Sequence, residues 1–178
     1  MSADPRNATA PGVPQTMAAL MAQAWVMETE AAERYEELAD AMETHNNREV
    51  AALFRRMAGY EAAHAQQILA EMGWTGAPPS MQVNWPDAEA PETTSAEVLH
   101  YLMQPWHALE IALAAEERAE RFFAHLALEA SAEPVRAAAL ALQAEEQEHV
   151  ALVRAWMAKV PLPGPGWADD PDPPRYTD

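Results

Sequence analysis

Apolar residues recur every three or four positions along four long stretches of this chain, and each stretch is interrupted near its middle by a glutamate. The first reads Met21, Ala24, Glu28, Ala31, Tyr35, Leu38, Met42, and the second Val50, Leu53, Met57, Glu61, His64, Ile68, Met72. The third reads Trp106, Leu109, Leu113, Glu116, Phe123, Ala127, and the fourth Val135, Ala139, Leu142, Glu146, His149, Val153, Trp156, Val160. Steps of three and four hold one side of a helix against a core. The same steps carry the four glutamates and the two histidines inward. A chain with this pattern has to pack four amphipathic helices around a shared acidic layer.

Composition agrees. Alanine dominates, followed by Leu, Met, Glu and Arg, all good helix formers, while Val and Ile are too few for a large sheet. A chain of 178 residues, 49 % of them apolar, fits one domain with a sizeable core. The expected class is all-α: a four-helix bundle of two antiparallel hairpins joined by one long crossover.

Punctuation sets the boundaries. Residues 1–15 hold three prolines and small polar residues and are expected to form a loose arm. The bundle is expected over residues 16–160. Thr16 suits the first N-cap, and His45-Asn46-Asn47 reads as a turn and cap. Gly73 suits the end of the second helix. A proline-rich crossover without a clear period covers about 74–104, with Ser95 as a candidate cap for a short helix, Ala96 to Met103. Pro105 suits the first turn of the third helix, and Ser131 with Pro134 is expected to open the fourth. Residues 161–178 read as a proline-rich acidic tail, in which Trp167 and Tyr176 are candidates for docking on a neighbouring subunit.

Charge narrows the partners. A net charge of −17 repels phosphate backbones and anionic lipid, so neither nucleic acid nor membrane is an expected partner. Met1 to Gln15 holds no apolar core segment and no run is long enough to span a bilayer, so the cytoplasm is the expected location. The absence of cysteine removes disulfides, thiolate nucleophiles and thiolate-held metals.

Inward carboxylates need protons, cations or metal, because burying them ionised and alone costs several kcal/mol each. The only lysine is Lys159, and Arg34, Arg55, Arg56, Arg118 and Arg121 lie mostly off the apolar stripes. An acidic bundle with protonated carboxylates is one solution. The spacing favours another. At about 1.5 Å per residue, each inward glutamate sits about 15 to 17 residues from its hairpin turn, so all four meet at one level. Glu61-Ala-Ala-His64 and Glu146-Gln-Glu-His149 put a carboxylate and an imidazole one turn apart on one face. Two such motifs, each facing a single Glu (Glu28 and Glu116), form the ligand set of a di-iron or di-manganese carboxylate site. Carboxylates with one imidazole per metal suit iron, with manganese as the alternative.

The first and third helices also repeat one another. Glu28-x-x-Ala31-x-x-x-Tyr35-x-x-Leu38-Ala39 parallels Glu116-x-x-Ala119-x-x-x-Phe123-x-x-Leu126-Ala127. With these motifs, residues 16–159 resemble the rubrerythrin-like branch of the ferritin-like superfamily. The resemblance implies that Glu61 and Glu146 bridge two metals and that Glu28, Glu116, His64 and His149 are terminal ligands. It implies a further glutamate one turn along the third helix. There this chain has Ala119 followed by Glu120, while Glu117 and Glu120 form a Glu-x-x-Glu, so Glu120 or Glu117 is the candidate seventh ligand. Rubrerythrins also carry a cysteine-dependent rubredoxin-like domain, which this chain cannot form, so an external electron donor is implied. Of two tyrosines expected near the ligands, Tyr35 is present and Phe123 replaces the other. Tyr35 either bonds a ligand carboxylate or is simply a core aromatic.

Three functions follow: reduction of peroxide or dioxygen by a non-haem di-iron oxidoreductase, expected as a homodimer; oxidation and handling of iron as storage or delivery protein; and a non-catalytic helical interaction module.

Overall fold

The structure is a computed structural model that describes residues 13–78, 85, 90–92, 94 and 98–170. Among the described residues there are four helices and no strand: α1 (Met17–Thr44), α2 (Arg48–Met72), α3 (Pro105–Glu129) and α4 (Glu133–Met157). α1 packs along α2 and α3 along α4 as two hairpins, and the chain between them returns the length of the bundle. This is the expected all-α ferritin-like arrangement.

Local chemistry stops and starts the helices. Thr16 accepts from the Ala19 amide at 3.1 Å, and Asn47 accepts from the Val50 amide at 3.3 Å, each satisfying an otherwise orphaned first-turn donor. Asn46 takes the left-handed turn before α2, at φ 60°. Gly73 closes α2 at φ 65°, where its own amide and that of Trp74 donate to Ala70 and Leu69. Pro105 opens α3, and the Gln104 amide donates to His107 Nδ1 at 2.9 Å. α4 departs from expectation: its N-cap is Ala132, with no side-chain cap. Ser131 instead donates to Gln15 at 3.0 Å and ties the N-terminal segment to the second hairpin turn.

The connecting segments are more packed than their composition suggests. Val13 lies against the core and Pro14 is buried, so the last residues of the expected arm are part of the body, while residues 1–12 lie outside the described residues. The short helix expected from Ala96 to Met103 does not run over 99–103: Val98 is 3₁₀, the residues after it are not helical, and Asn47 donates to the carbonyls of Tyr101 and Met103. Ser95, Ala96 and Glu97 lie outside the described residues. Trp167 docks on its own chain, its ring 3.8 Å from that of His107 and 5.2 Å from that of His100. Residues 171–178, including Tyr176, lie outside the described residues.

The core divides into two apolar clusters. One gathers Leu20 to Met27 of α1, Ile68 of α2, Ala119 to Ala127 of α3 and Val135 to Leu142 of α4. The other gathers Tyr35 to Met42, Val50 to Ala58, Ala108 to Ala112, and Val153 with Met157. On every helix the interval between the two clusters contains the inward glutamate. An acidic layer is thus enclosed between two oily ones.

Candidate metal centre

The repeat built into the helices delivers six side chains to that layer. Glu28, Glu61 and His64 come together from the first hairpin, and Glu116, Glu146 and His149 from the second; in each set the ligand-type atoms lie within 4.8 Å of one another. The four carboxylates are each at most 3 % exposed. Both histidines turn Nδ1 toward them. His149 Nδ1 lies 3.2 Å from Glu146 and 3.4 Å from Glu116, and His64 Nδ1 lies 3.6 Å from both Glu28 and Glu61. The imidazoles stack face to face across α2 and α4, 4.3 Å apart and 4° from parallel.

A fifth buried carboxylate joins them. Glu92, from the crossover, places an oxygen within 4.8 Å of oxygens from Glu28 and Glu146. The periodicity argument missed it, because the crossover has no period and an isolated loop glutamate is ordinarily solvated. Arg118 is off the α3 stripe and half-buried, and its Nε donates to the Pro91 carbonyl at 2.6 Å.

Glu120 and Glu117 lie elsewhere. Glu120 accepts from Gln143 at 2.6 Å and Gln147 at 3.0 Å, bonds that hold its carboxyl below its usual range. Glu117 pairs with Arg154 at 2.7 Å. Both belong to the α3–α4 outer face, and neither lies in the two Glu-Glu-His sets of this structure: one residue of helical rotation past Ala119 turns a side chain about 100° away from the core. Tyr35 is buried beside the site, stacked on Phe54 at 6.1 Å, and its hydroxyl has no hydrogen-bond partner.

The electrostatics are those of a site crowded with like charge. Burial raises the Glu28 carboxyl well above its usual range, with Glu61 and Glu146 adding to it and the nearby His64 opposing. Burial also pushes Glu116 up to about 7. The Glu28 and Glu61 carboxylates push the His64 imidazole up to about 10. Burial opposes charge on His149, but Glu116 and Glu146 outweigh it and push the imidazole up to about 11. Burial, with Glu28 and Glu146 close by, raises Glu92 well above its usual range. Protons therefore concentrate here, and stacking two protonated rings works against them.

Unsatisfied atoms concentrate here too. Among the described residues nine buried side-chain N or O atoms lack a hydrogen-bond partner, and seven belong to Glu28, Glu61, His64, Glu92, Glu116 and Glu146. Each such orphan ordinarily costs about 1–3 kcal/mol. Inward oxygens and a ring nitrogen without partners fit a pair of hard metal ions, which would take the lone pairs and leave the stacked imidazoles neutral. A cavity of about 280 Å³ among α1, α2 and α4, with Gln67, Glu71 and Glu145 along it, reaches Glu28 and His64.

Comparison with known proteins agrees with this geometry. The model of the rubrerythrin family matches residues 20–157. The crystal structure of an uncharacterized conserved protein from Magnetospirillum magnetotacticum is similar, at 36% sequence identity and a TM-score of 0.60, over 84% of this chain and 98% of that one. No curated protein matches.

Proposed function

The chain belongs to the rubrerythrin family, and on that premise we propose that it is a non-haem di-iron oxidoreductase that reduces hydrogen peroxide, or dioxygen, with electrons from an external donor. The observation that carries the reading is the cluster of unsatisfied buried carboxylate and imidazole atoms at one level of the bundle. Glu28, Glu61 and His64 would hold one ion, and Glu116, Glu146 and His149 the other, with manganese able to occupy the same donors. When bound, the pair supplies electrons and a template for a small oxidant.

The residues of the chain do the rest. The two apolar clusters exclude water from above and below the acidic layer. The cavity beside Glu28 and His64 leaves room for a molecule of peroxide or dioxygen size. The Tyr35 hydroxyl, buried and unpartnered, is free to donate to a ligand carboxylate and hold its orientation. Peroxide reduction consumes an electron pair and two protons and yields water, and the cysteine-free chain contains no redox group of its own to supply those electrons. Family membership favours peroxide over dioxygen.

The test is anaerobic loading with Fe(II), followed by peroxide in the presence of a chemical reductant. The parent is expected to consume many equivalents of peroxide per chain, whereas an iron-handling protein would stop after one round. Glu61→Ala and Glu146→Ala are expected to abolish consumption and to lose bound metal. Variants that consume peroxide as fast as the parent would sink the reading.

A further inference from the structure

Glu92 is outside every helix, yet it is 3 % exposed and neither carboxylate oxygen has a hydrogen-bond partner. A loop carboxylate in that condition is costly to keep, since nothing in its own segment requires it to point inward. The segment is nevertheless fixed on both sides of it. Ala90 is packed into the apolar cluster that holds Met27 and Phe123, and Trp85 meets the Phe122 ring edge-on at 5.6 Å. Arg118 donates from Nε to the Pro91 carbonyl at 2.6 Å and from a terminal nitrogen to the Thr94 hydroxyl at 3.4 Å, straddling Glu92. Arg118 stands two residues beyond Glu116, so the turn of α3 that supplies one inward carboxylate also clamps the loop that supplies another.

The neighbours of Glu92 are one glutamate from each half of the centre, Glu28 and Glu146. α3 offers no second carboxylate of its own, because Glu120 is bonded to Gln143 and Gln147, and Glu117 to Arg154. We propose that Glu92 is a seventh metal ligand, contributed by the crossover to the space between the two halves, and that Arg118 is the residue that positions it. The proposal rests on the six-residue centre proposed above. It has a consequence for the fold: metal binding fastens the crossover to the bundle.

The experiment compares the parent, E92Q, Arg118→Gln and the double variant by anaerobic Fe(II) or Mn(II) titration, thermal melting without metal, and hydrogen exchange across residues 90–104. E92Q replaces a buried, unpartnered carboxyl with an amide of the same size. Its metal-free form is expected to melt higher than the parent, and its metal affinity to fall roughly tenfold or more. Metal is expected to slow exchange of the crossover amides in the parent and not in E92Q. Arg118→Gln is expected to weaken metal binding in the parent background and to add nothing in the E92Q background. Should E92Q fold poorly, Glu92→Asp keeps the charge and shortens the reach, and is expected to lose affinity likewise. Unchanged affinity together with equal crossover protection in parent and variant would overturn the assignment. A further loss of affinity in the double variant would overturn the positioning role of Arg118. Glu61→Ala separates the two levels: if it loses metal while E92Q does not, only the role of Glu92 fails, and if both retain metal, the centre itself fails.

Discussion

His64 and His149 hold matching places in the two Glu-x-x-His motifs, yet 28 % of the His64 side chain is exposed and 19 % of that of His149. The difference follows the seam between α2 and α4. On one side of the stacked rings, Tyr60 and Trp156 meet at 5.7 Å and Arg56 lies 5.9 Å over the Trp156 ring, which closes the seam. On the other side the corresponding positions are Glu71 and Glu145, and there the cavity reaches Glu28 and His64. The internal repeat thus lays down two equivalent Glu-Glu-His sets, and unlike neighbours leave the His64 set more accessible than the His149 set. Similar side chains do not imply similar access.

The largest effect should come from removing one half at a time. Glu28→Ala and Glu116→Ala should each reduce bound metal from about two ions per chain to about one. Metal analysis after anaerobic loading checks it. If either variant retains both ions, or both variants lose everything, the halves do not bind separately and the comparison breaks down.

Proton binding gives the next effect. In the metal-free protein Glu116 is raised to about 7 and His64 to about 10. Both groups bind protons more tightly in the folded chain than in the unfolded one. The Glu116 contribution to stability is present below its ordinary value near 4.5 and is lost as pH rises through about 7. The His64 contribution is present below 6.5 and is lost as pH rises through about 10. Metal-free protein should therefore melt at progressively lower temperature as pH rises across that window. Metal binding needs the same groups deprotonated, so the stabilisation by added Mn(II) should grow with pH. Melting curves with and without Mn(II) test both trends, and parallel pH profiles would show that metal and protons do not compete for these groups.

A smaller effect separates the two aromatic positions. Tyr35 and Phe123 are equivalent in the repeat, but only Tyr35 carries a hydroxyl, and that hydroxyl is buried without a partner. Tyr35→Phe should leave metal-free stability unchanged or raise it by about 1 kcal/mol, and should weaken metal-loaded protein if the hydroxyl bonds a ligand. Phe123→Tyr should cost about 1–3 kcal/mol, because Phe123 is fully enclosed in apolar surroundings. Equal responses in denaturant unfolding would mean that the two positions are alike after all.

What could be read from the sequence was whatever the helix period encodes. Glu28, Glu61, His64, Glu116, Glu146 and His149 were legible as polar residues at positions where a stripe demanded apolar ones. Tyr35, Leu38 and Met42 were legible as core by the same rule. The period is coarse, however: on α2 it pointed to Leu53, whereas the fully buried residue is Phe54. It also has no bearing on a crossover. Glu92 could not be told from a solvated loop acid, because its burial depends on Trp85, Ala90 and the Arg118 clamp, contacts between segments distant in sequence. Likewise Trp167, offered by the sequence as a contact to a neighbouring subunit, docks on His107 of its own chain.

The access difference can be tested without touching a ligand. Ala141 lines the cavity and is exposed on α4, so Ala141→Trp places bulk at the opening while leaving both apolar clusters intact. Its melting temperature should stay close to that of the parent, since exposed helix positions usually change stability by under about 0.5 kcal/mol. Equilibrium metal content should also be unchanged. The rate of Fe(II) uptake, followed by stopped-flow mixing under anaerobic conditions, should fall several-fold. Trp156→Ala should act in the opposite direction, because it removes the ring that closes the seam with Tyr60 and opens a second approach to the enclosed half. If both variants load at the parental rate, metal reaches the layer by neither side of the α2–α4 seam. The difference in exposure between His64 and His149 would then reflect packing alone, and access would have to come through the crossover that carries Glu92.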